Sequence, residues 1–337
     1  MAAVNVAVVG ATGAVGREMM KVLEERDFPL GRLVCLADPR EAGTRIPFRG
    51  EEVVVEGASA ASFAGVDIVL LAVASEISEE LAPQAVERGC VVIDNSYAFR
   101  LVEGVPLVVP EVNADDIRQH RGIIANPNCS TIIMVVAINP LHQAAGLKRV
   151  VVSTYQAVSG AGILGIEELT QQTRAALEGR ELQPQVFQYP IAFNLIPHID
   201  AFQANGYTKE EMKMVWETRK IMHLPGLAVS PTTVRVPVYR SHSESINVET
   251  ERPLSAEQAR SILAAAPGVV VQDDPAARVY PMPLRASHRD EVFVGRIRED
   301  LSLPNALNLW VVADQIRKGA ATNAVQIAEI VVAEGLY

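Results

Sequence analysis

Short apolar runs alternating with helical patterns fill the first third of the chain. Residues 4–9, 32–37, 53–57, 66–74 and 91–94 are β-branched and apolar, with the length of buried strands. Between them, residues 15–25 and 79–88 place apolar side chains at helical spacing. Strand and helix in this alternation predict an α/β fold, a doubly wound parallel sheet with helices on both faces. The pattern changes near residue 128. An apolar helix over 132–137 is followed by longer strand-like runs at 149–155, 234–239, 245–250, 291–298 and 307–313. Helical patterns stand at 166–177 and 209–222. These runs predict an α+β region with a mainly antiparallel sheet. The Ala-rich 319–334 reads as a helix that packs back on the first domain. The expected division is therefore 1–127, completed by 319–337, and 128–318.

With 337 residues the chain is long enough for two cores. Its net charge of −10 argues against nucleic acid or an anionic membrane as the main partner. No apolar run reaches membrane-spanning length, and no basic, apolar leader precedes the first strand. Three cysteines, Cys35, Cys90 and Cys129, make no disulfide framework. A cytoplasmic protein with reduced thiols is expected. No metal site is expected.

Cys129 stands in Asn126-Pro127-Asn128-Cys129-Ser130-Thr131, where a Pro-containing turn opens into a helix. Free backbone N–H groups and the positive end of the helix dipole stabilise a thiolate there. Cys129 is thus a candidate nucleophile, whereas Cys35 and Cys90 lie in or beside apolar runs and read as packing. A nucleophile of this kind needs an acid/base partner. Among six His, His242 has the most suitable context, a polar loop between two expected strands.

Gly10-Ala11-Thr12-Gly13-Ala14-Val15-Gly16 joins the first strand to the first helix. A turn of this composition lets pyrophosphate sit on the helix N-terminus, so Gly10, Thr12, Gly13, Ala14, Val15 and Gly16 are candidate cofactor contacts. The second strand ends in Ala37-Asp38-Pro39-Arg40-Glu41. An acid there suits the ribose hydroxyls of NAD, and an Arg suits the 2′-phosphate of NADP. By residue type alone the two cofactors stand about even.

Several segments together resemble the aspartate-β-semialdehyde dehydrogenase family over essentially the whole length. They are Gly10 to Gly16, Asp94-Asn95-Ser96-Tyr97-Ala98-Phe99-Arg100, Val108-Val109-Pro110-Glu111-Val112-Asn113, residues 126–131, Gln156-Ala157-Val158-Ser159-Gly160-Ala161-Gly162, residues 235–244 and Arg317-Lys318-Gly319-Ala320-Ala321. The resemblance implies a Rossmann-type cofactor domain and a catalytic and dimerisation domain. It implies reductive dephosphorylation of aspartyl phosphate to aspartate semialdehyde with NADPH, through a thioester on Cys129. That reaction belongs to the aspartate-derived route to lysine, threonine, methionine and diaminopimelate. Gln156 would orient the reacting group and His242 would be the acid/base. Arg235 would hold the substrate carboxylate and Glu210 its amine. Arg100 and Lys213 would hold phosphate, with Asn128 beside the substrate. Ser159, Gly160 and Gln315 would meet the nicotinamide half, and Arg40 and Glu41 the ribose end. The implied partners are the small substrate, inorganic phosphate and a second copy of the chain. NADP is the implied cofactor, with NAD also compatible.

Residues 71–76 and Tyr97 depart from the family pattern, Ala74 and Ser75 adding side chains beside the cofactor. An N-acetyl-glutamyl-phosphate reductase shares the acyl-phosphate chemistry, but its acetylated substrate needs no amine-binding acid such as Glu210. A glyceraldehyde-phosphate dehydrogenase differs around its Cys. A non-catalytic paralogue would be expected to lose reacting groups, and Cys129, Gln156, Arg235 and His242 are all present.

Overall fold

The computed structural model describes residues 3–337. They fold into two compact units: the chain up to Asn128 with Ala320–Tyr337, and Cys129–Gly319.

The first unit runs β1 (Val4–Val9), α1 (Ala14–Glu25), β2 (Leu30–Ala37), β3 (Arg45–Phe48), β4 (Glu51–Gly57), β5 (Ile68–Leu71), α2 (Ser75–Val86), β6 (Val91–Asp94), α3 (Pro110–Asn113) and β7 (Ile123–Ala125). Its sheet has the order β3-β4-β2-β1-β5-β6-β7. All pairings are parallel except β3 with β4 at the edge. Strands covered on both faces need apolar side chains in succession, and every residue of β5 and β6 is buried. One face packs Val8, Met19, Leu23 and Ile93 with Ile327 and Val331. The opposite face packs Leu36, Phe63, Leu71, Leu81 and Val92. Ile327 and Val331 belong to the C-terminal helix, Thr322–Glu334, which lies against α1. Arg26 grips Glu329 through two bonds of 2.7 Å, and Asn323 Nδ2 donates to Val108 O and Asn126 Oδ1.

The second unit runs α4 (Cys129–Ala145), β8 (Leu147–Gln156), α5 (Gly162–Leu177), α6 (Lys209–Ile221), β9 (Ala228–Arg235), β10 (His242–Thr250), α7 (Ala256–Ala265), β11 (Val269–Val271), α8 (Pro283–Ala286), β12 (Val292–Glu299) and β13 (Ala306–Ala313). The sheet order is β11-β12-β13-β10-β8-β9. The three inner pairings are antiparallel and the two outermost are parallel. Residues 130–139 of α4 are buried without interruption, and the helix lies across β8, β10, β12 and β13. A helix apolar all round belongs in such an interior.

Several boundaries differ from the sequence pattern. The strand expected at 234–239 is β9, which ends at Arg235. Pro237 has no N–H for a sheet ladder, and Val238 N–H turns back onto Val236 O at 2.8 Å. β10 starts at His242 instead of 245, and α2 starts at Ser75 instead of 79. The strands β3, β7 and β11 are not evident in the sequence, since three or four residues carry little periodicity, and the ten-residue helix α7 is a further element that the pattern does not reveal. Among the described residues no helix is long and apolar enough to cross a membrane.

Candidate active site

Strand direction gathers the reactive residues of the second unit. β8 and β9 run parallel and β10 runs against β8, so the ends of the first two meet the start of the third. Gln156 pairs with Arg235, and His242 pairs with Ala313. On this covered face the residues form successive rows. Gln156, Arg235 and His242 make the first. The second crosses four strands as Val311, Glu244, Thr154 and Thr233. The third is apolar: Leu309, Ile246, Val152 and Pro231. Cys129 begins α4, which packs on these strands.

The side chains of the first row interlock. Thr154 Oγ1 donates to Gln156 Oε1 at 3.0 Å, and Gln156 Nε2 donates to Glu210 Oε1 at 3.1 Å. Ala157 N–H donates to His242 Nδ1 at 3.0 Å, and the His242 and Gln156 Nε2 atoms stand 3.4 Å apart. Arg235 Nη1 donates to Ala157 O at 2.6 Å, and its guanidinium lies over Phe187, 5.8 Å from the ring centroid. Burial lowers the pKa of Arg235, opposed by the charges of Glu210 and Cys129. That opposition places Cys129 within electrostatic reach of the Arg235 guanidinium. Burial, then the charge of Arg235, pushes His242 down to about 3, against the pull of Glu210. His242 is fully enclosed, so its ring is neutral near pH 7.

Glu210 and Lys213 stand one turn apart on α6, where Thr208 caps the helix through a reciprocal box with Glu211. Lys213 Nζ lies 3.0 Å from Glu210 Oε2 and 2.9 Å from Asp200 Oδ2. Burial opposes the Lys213 charge, but the two carboxylates outweigh it and raise its pKa. Asp200, held at φ 67°, gave no sequence signal as part of this cluster.

A second set of bonds fixes the approach to His242. Ser241 is left-handed, at φ 74°, and its N–H donates to Gln315 Oε1 at 2.8 Å. Gln315 Nε2 donates to Ser159 Oγ at 2.5 Å, so two residues expected at the nicotinamide are joined directly. The fully buried Asp314 accepts from Arg240 Nε, His288 N, Ile316 N and Arg317 N. A Cβ on Gly160 would lie 2.8 Å from Arg235 Nη1, so the glycine leaves room for the guanidinium. Asp314, Ala157 and Thr154 act through such bonds, which residue type alone does not reveal. Glu244 was visible only as part of a motif. It is fully buried, neither carboxyl oxygen has a hydrogen-bond partner among the described residues, and burial pushes its pKa well up.

In the first unit, Gly10 lies between β1 and α1 at φ 83°. A Cβ on it would meet Ala72 O at 2.4 Å, and one on Gly16 would meet Gly10 O at 2.1 Å. The tight turn leaves the start of α1, Ala14 and Val15, behind Gly13. Beside it is a cavity of about 330 Å³, whose lining includes Gly10, Asp38, Pro39, Glu41, Ala74 and Ile77. This cradle, at the carboxyl ends of parallel strands, fits a dinucleotide. Thr12 Oγ1 donates to Glu41 Oε2 at 3.0 Å. Arg40 grips Asp38 through bonds of 2.9 and 2.8 Å, which lowers the Asp38 pKa. Arg100 is buried and donates to Asn95 O at 2.7 Å, and Asn128 is also buried. Among the described residues no group of three His, Cys, Asp or Glu side chains is placed to hold a metal ion.

A family model for the semialdehyde dehydrogenase NAD binding domain matches residues 5–120, and one for the semialdehyde dehydrogenase dimerisation domain matches 138–318. An aspartate-semialdehyde dehydrogenase of Aquifex aeolicus is 57% identical over 98% of this chain and 99% of its own. One from Bacillus subtilis is 54% identical over 96% of each. Among solved structures, aspartate semialdehyde dehydrogenase II from Vibrio cholerae, complexed with ASA, superposes with a TM-score of 0.97. It is 49% identical, and the match covers 99% of both chains.

Proposed function

The chain belongs to the aspartate-semialdehyde dehydrogenase family, and on that premise we propose that it reduces aspartyl phosphate to aspartate semialdehyde. One observation carries this reading. Glu210 and Arg235, a carboxylate and a guanidinium, flank Gln156 in the unit that holds Cys129. They complement the amine and carboxylate of a free amino acid.

Cys129 thiolate attacks the acyl phosphate, a C–S bond forms, and phosphate leaves with the C–O electron pair. The thioester divides one difficult step into two easier ones. Bound NADPH supplies hydride to the thioester carbon. Arg235 holds the substrate carboxylate, Glu210 the amine, and Gln156 the reacting group. Arg100 and Lys213 hold the phosphate, with Asn128 beside the substrate. Thr12 and the glycine turn hold the dinucleotide, Arg40 and Glu41 its ribose end, and Ser159, Gly160 and Gln315 the nicotinamide end. Support for NADP comes from Arg40 and the family resemblance. The match to a dimerisation domain supports a homodimer. The reducing cytoplasm suits the reacting thiol, and the product feeds lysine, threonine, methionine and diaminopimelate synthesis.

The test compares aspartate semialdehyde with N-acetyl-glutamate semialdehyde as substrates for phosphate-dependent NADP reduction, in wild type and Glu210→Gln. Wild type should prefer the free-amine aldehyde, and the substitution should raise KM for it by about tenfold or more. Equal use of the acetylated aldehyde would contradict the assignment.

A further inference from the structure

One irregular strap, residues 183–196, meets Arg235 at two points. Ile196 and Arg235 exchange backbone hydrogen bonds of 3.0 and 2.8 Å, an isolated antiparallel bridge at the end of β9. Phe187 lays its ring over the guanidinium, 5.8 Å from the centroid. A guanidinium donates only in its plane, so a ring on its face takes up none of its N–H groups. Gly165 of α5 gives the ring its seat, since a Cβ there would lie 3.2 Å from Phe187 Cζ. The strap in turn hangs on two buried side chains of α5, one turn apart. Glu168 Oε2 accepts from Gln185 N at 3.1 Å and from Val186 N, next to Phe187. Gln172 Oε1 accepts from Ile191 N and Ala192 N at 2.7 and 3.2 Å. Its Nε2 donates to Glu168 Oε1 at 2.8 Å and to Gln183 O at 3.2 Å. Between α5 and residues 183–186 lies a cavity of about 310 Å³, lined in part by Glu168, Gln172 and Gln185. Hydrogen bonds, more than packed side chains, therefore set the course of the strap just before Phe187.

We propose that Phe187 is a positioning residue for the substrate carboxylate, and that Glu168 and Gln172 act through it by fixing the strap that carries it. This inference rests on the amino-acid substrate reading above, in which Arg235 grips the carboxylate. A long side chain gives up rotamer freedom when it binds, and that cost falls on affinity unless the chain is already held. Two contacts hold this one in advance. Arg235 Nη1 is tied to Ala157 O at 2.6 Å, which fixes one arm of the fork. The Phe187 ring fixes the plane of the fork. Such a ring attracts a cation most strongly where water is excluded, and Arg235 is buried. The strap thus aims the planar fork that a carboxylate matches with two parallel bonds. The substrate carboxylate keeps its charge and shape while the bonds at the aldehyde carbon change. A contribution made through it is equal in ground and transition states, so it appears in KM more than in kcat.

The test combines steady-state kinetics with NMR of the full-length protein labelled with ¹⁵N-arginine. Phe187→Leu should raise KM for aspartate semialdehyde about 3–10-fold, with kcat and the KM for phosphate and for NADP changed by less than about twofold. Phe187→Tyr, which keeps a ring, should keep the wild-type KM. Glu168→Ala should raise the same KM and leave the other two in place. The Arg235 Nε–H signal, identified by its loss in Arg235→Lys, should move in Phe187→Leu and in Glu168→Ala alike. An Arg235 signal that ignores Phe187→Leu would overturn the proposal, and so would a rise in KM shared equally by phosphate and NADP. Phe187→Leu is the milder change, so a poorly folded Glu168→Ala does not remove the test. An inert wild type would sink the functional reading, and the Arg235 signal would still decide whether the strap sets the guanidinium.

Discussion

Gly319 faces Cys129 so closely that a Cβ built on it would lie 2.9 Å from the Cys129 Cβ. Both atoms belong to rigid positions, so neither can swing aside. Gly319→Ala should displace the thiol and lower kcat by about 10–100-fold, consistent with the sensitivity of reacting groups to small misplacement. Substrate KM should change less. Steady-state kinetics with a circular dichroism control checks this, and unaltered kcat would show the contact to be tolerated.

Arg40 and Asp38 neutralise one another on the surface of the cofactor unit. A 2′-phosphate must compete with the Asp38 carboxylate for the guanidinium. Asp38→Asn should lower the KM for NADP several-fold, and Arg40→Ala should raise it about tenfold with little effect on NAD. Kinetics with both cofactors decides this. The charges of Asp38 and Arg40 were legible in the sequence, but their pairing was not, because it depends on a turn in which Asp38 caps Arg40 N–H.

That contrast holds more widely. The glycine turn and the Cys129 helix start announce themselves through local sequence, because close backbone approach and helix entry demand particular residue types. The strand before His242 was misplaced, since β-branched residues continue through Val236 and Val238 while Pro237 quietly removes a ladder donor. Asp314 and Asp200 were missed because their partners are distant in sequence: Arg240 for the first, Lys213 for the second.

Glu244 should make stability depend on pH in an identifiable direction. Its folded pKa is raised, so the folded state holds a proton that the unfolded chain releases above about pH 4.5. The stability it contributes is present below that pH and is lost as pH rises toward the folded pKa. Glu244→Gln keeps the shape and removes the ionisation. The variant should gain on wild type by about 1–3 kcal/mol at pH 8, with the difference shrinking by pH 4. Urea unfolding at the two pH values measures this, and a pH-independent difference would contradict it.

Asp314 joins the Arg240 side chain to three backbone N–H groups next to the left-handed Ser241. Removing one partner of a buried charge pair leaves the other unsatisfied. Asp314→Ala should cost about 3–5 kcal/mol in unfolding free energy, whereas Asp314→Asn should cost less. Chemical denaturation of both variants tests the ranking, and equal stability to wild type would show the hub to be dispensable.

The central claim, a thioester on Cys129, is tested most directly by intact-protein mass spectrometry after mixing the enzyme with aspartate semialdehyde and NADP in the absence of phosphate. One acyl group should accumulate on the peptide containing Cys129, with a matching burst of NADPH, and added phosphate should discharge it. Cys129→Ala should show neither adduct nor burst. An adduct on another residue, or equal turnover without phosphate, would contradict the account.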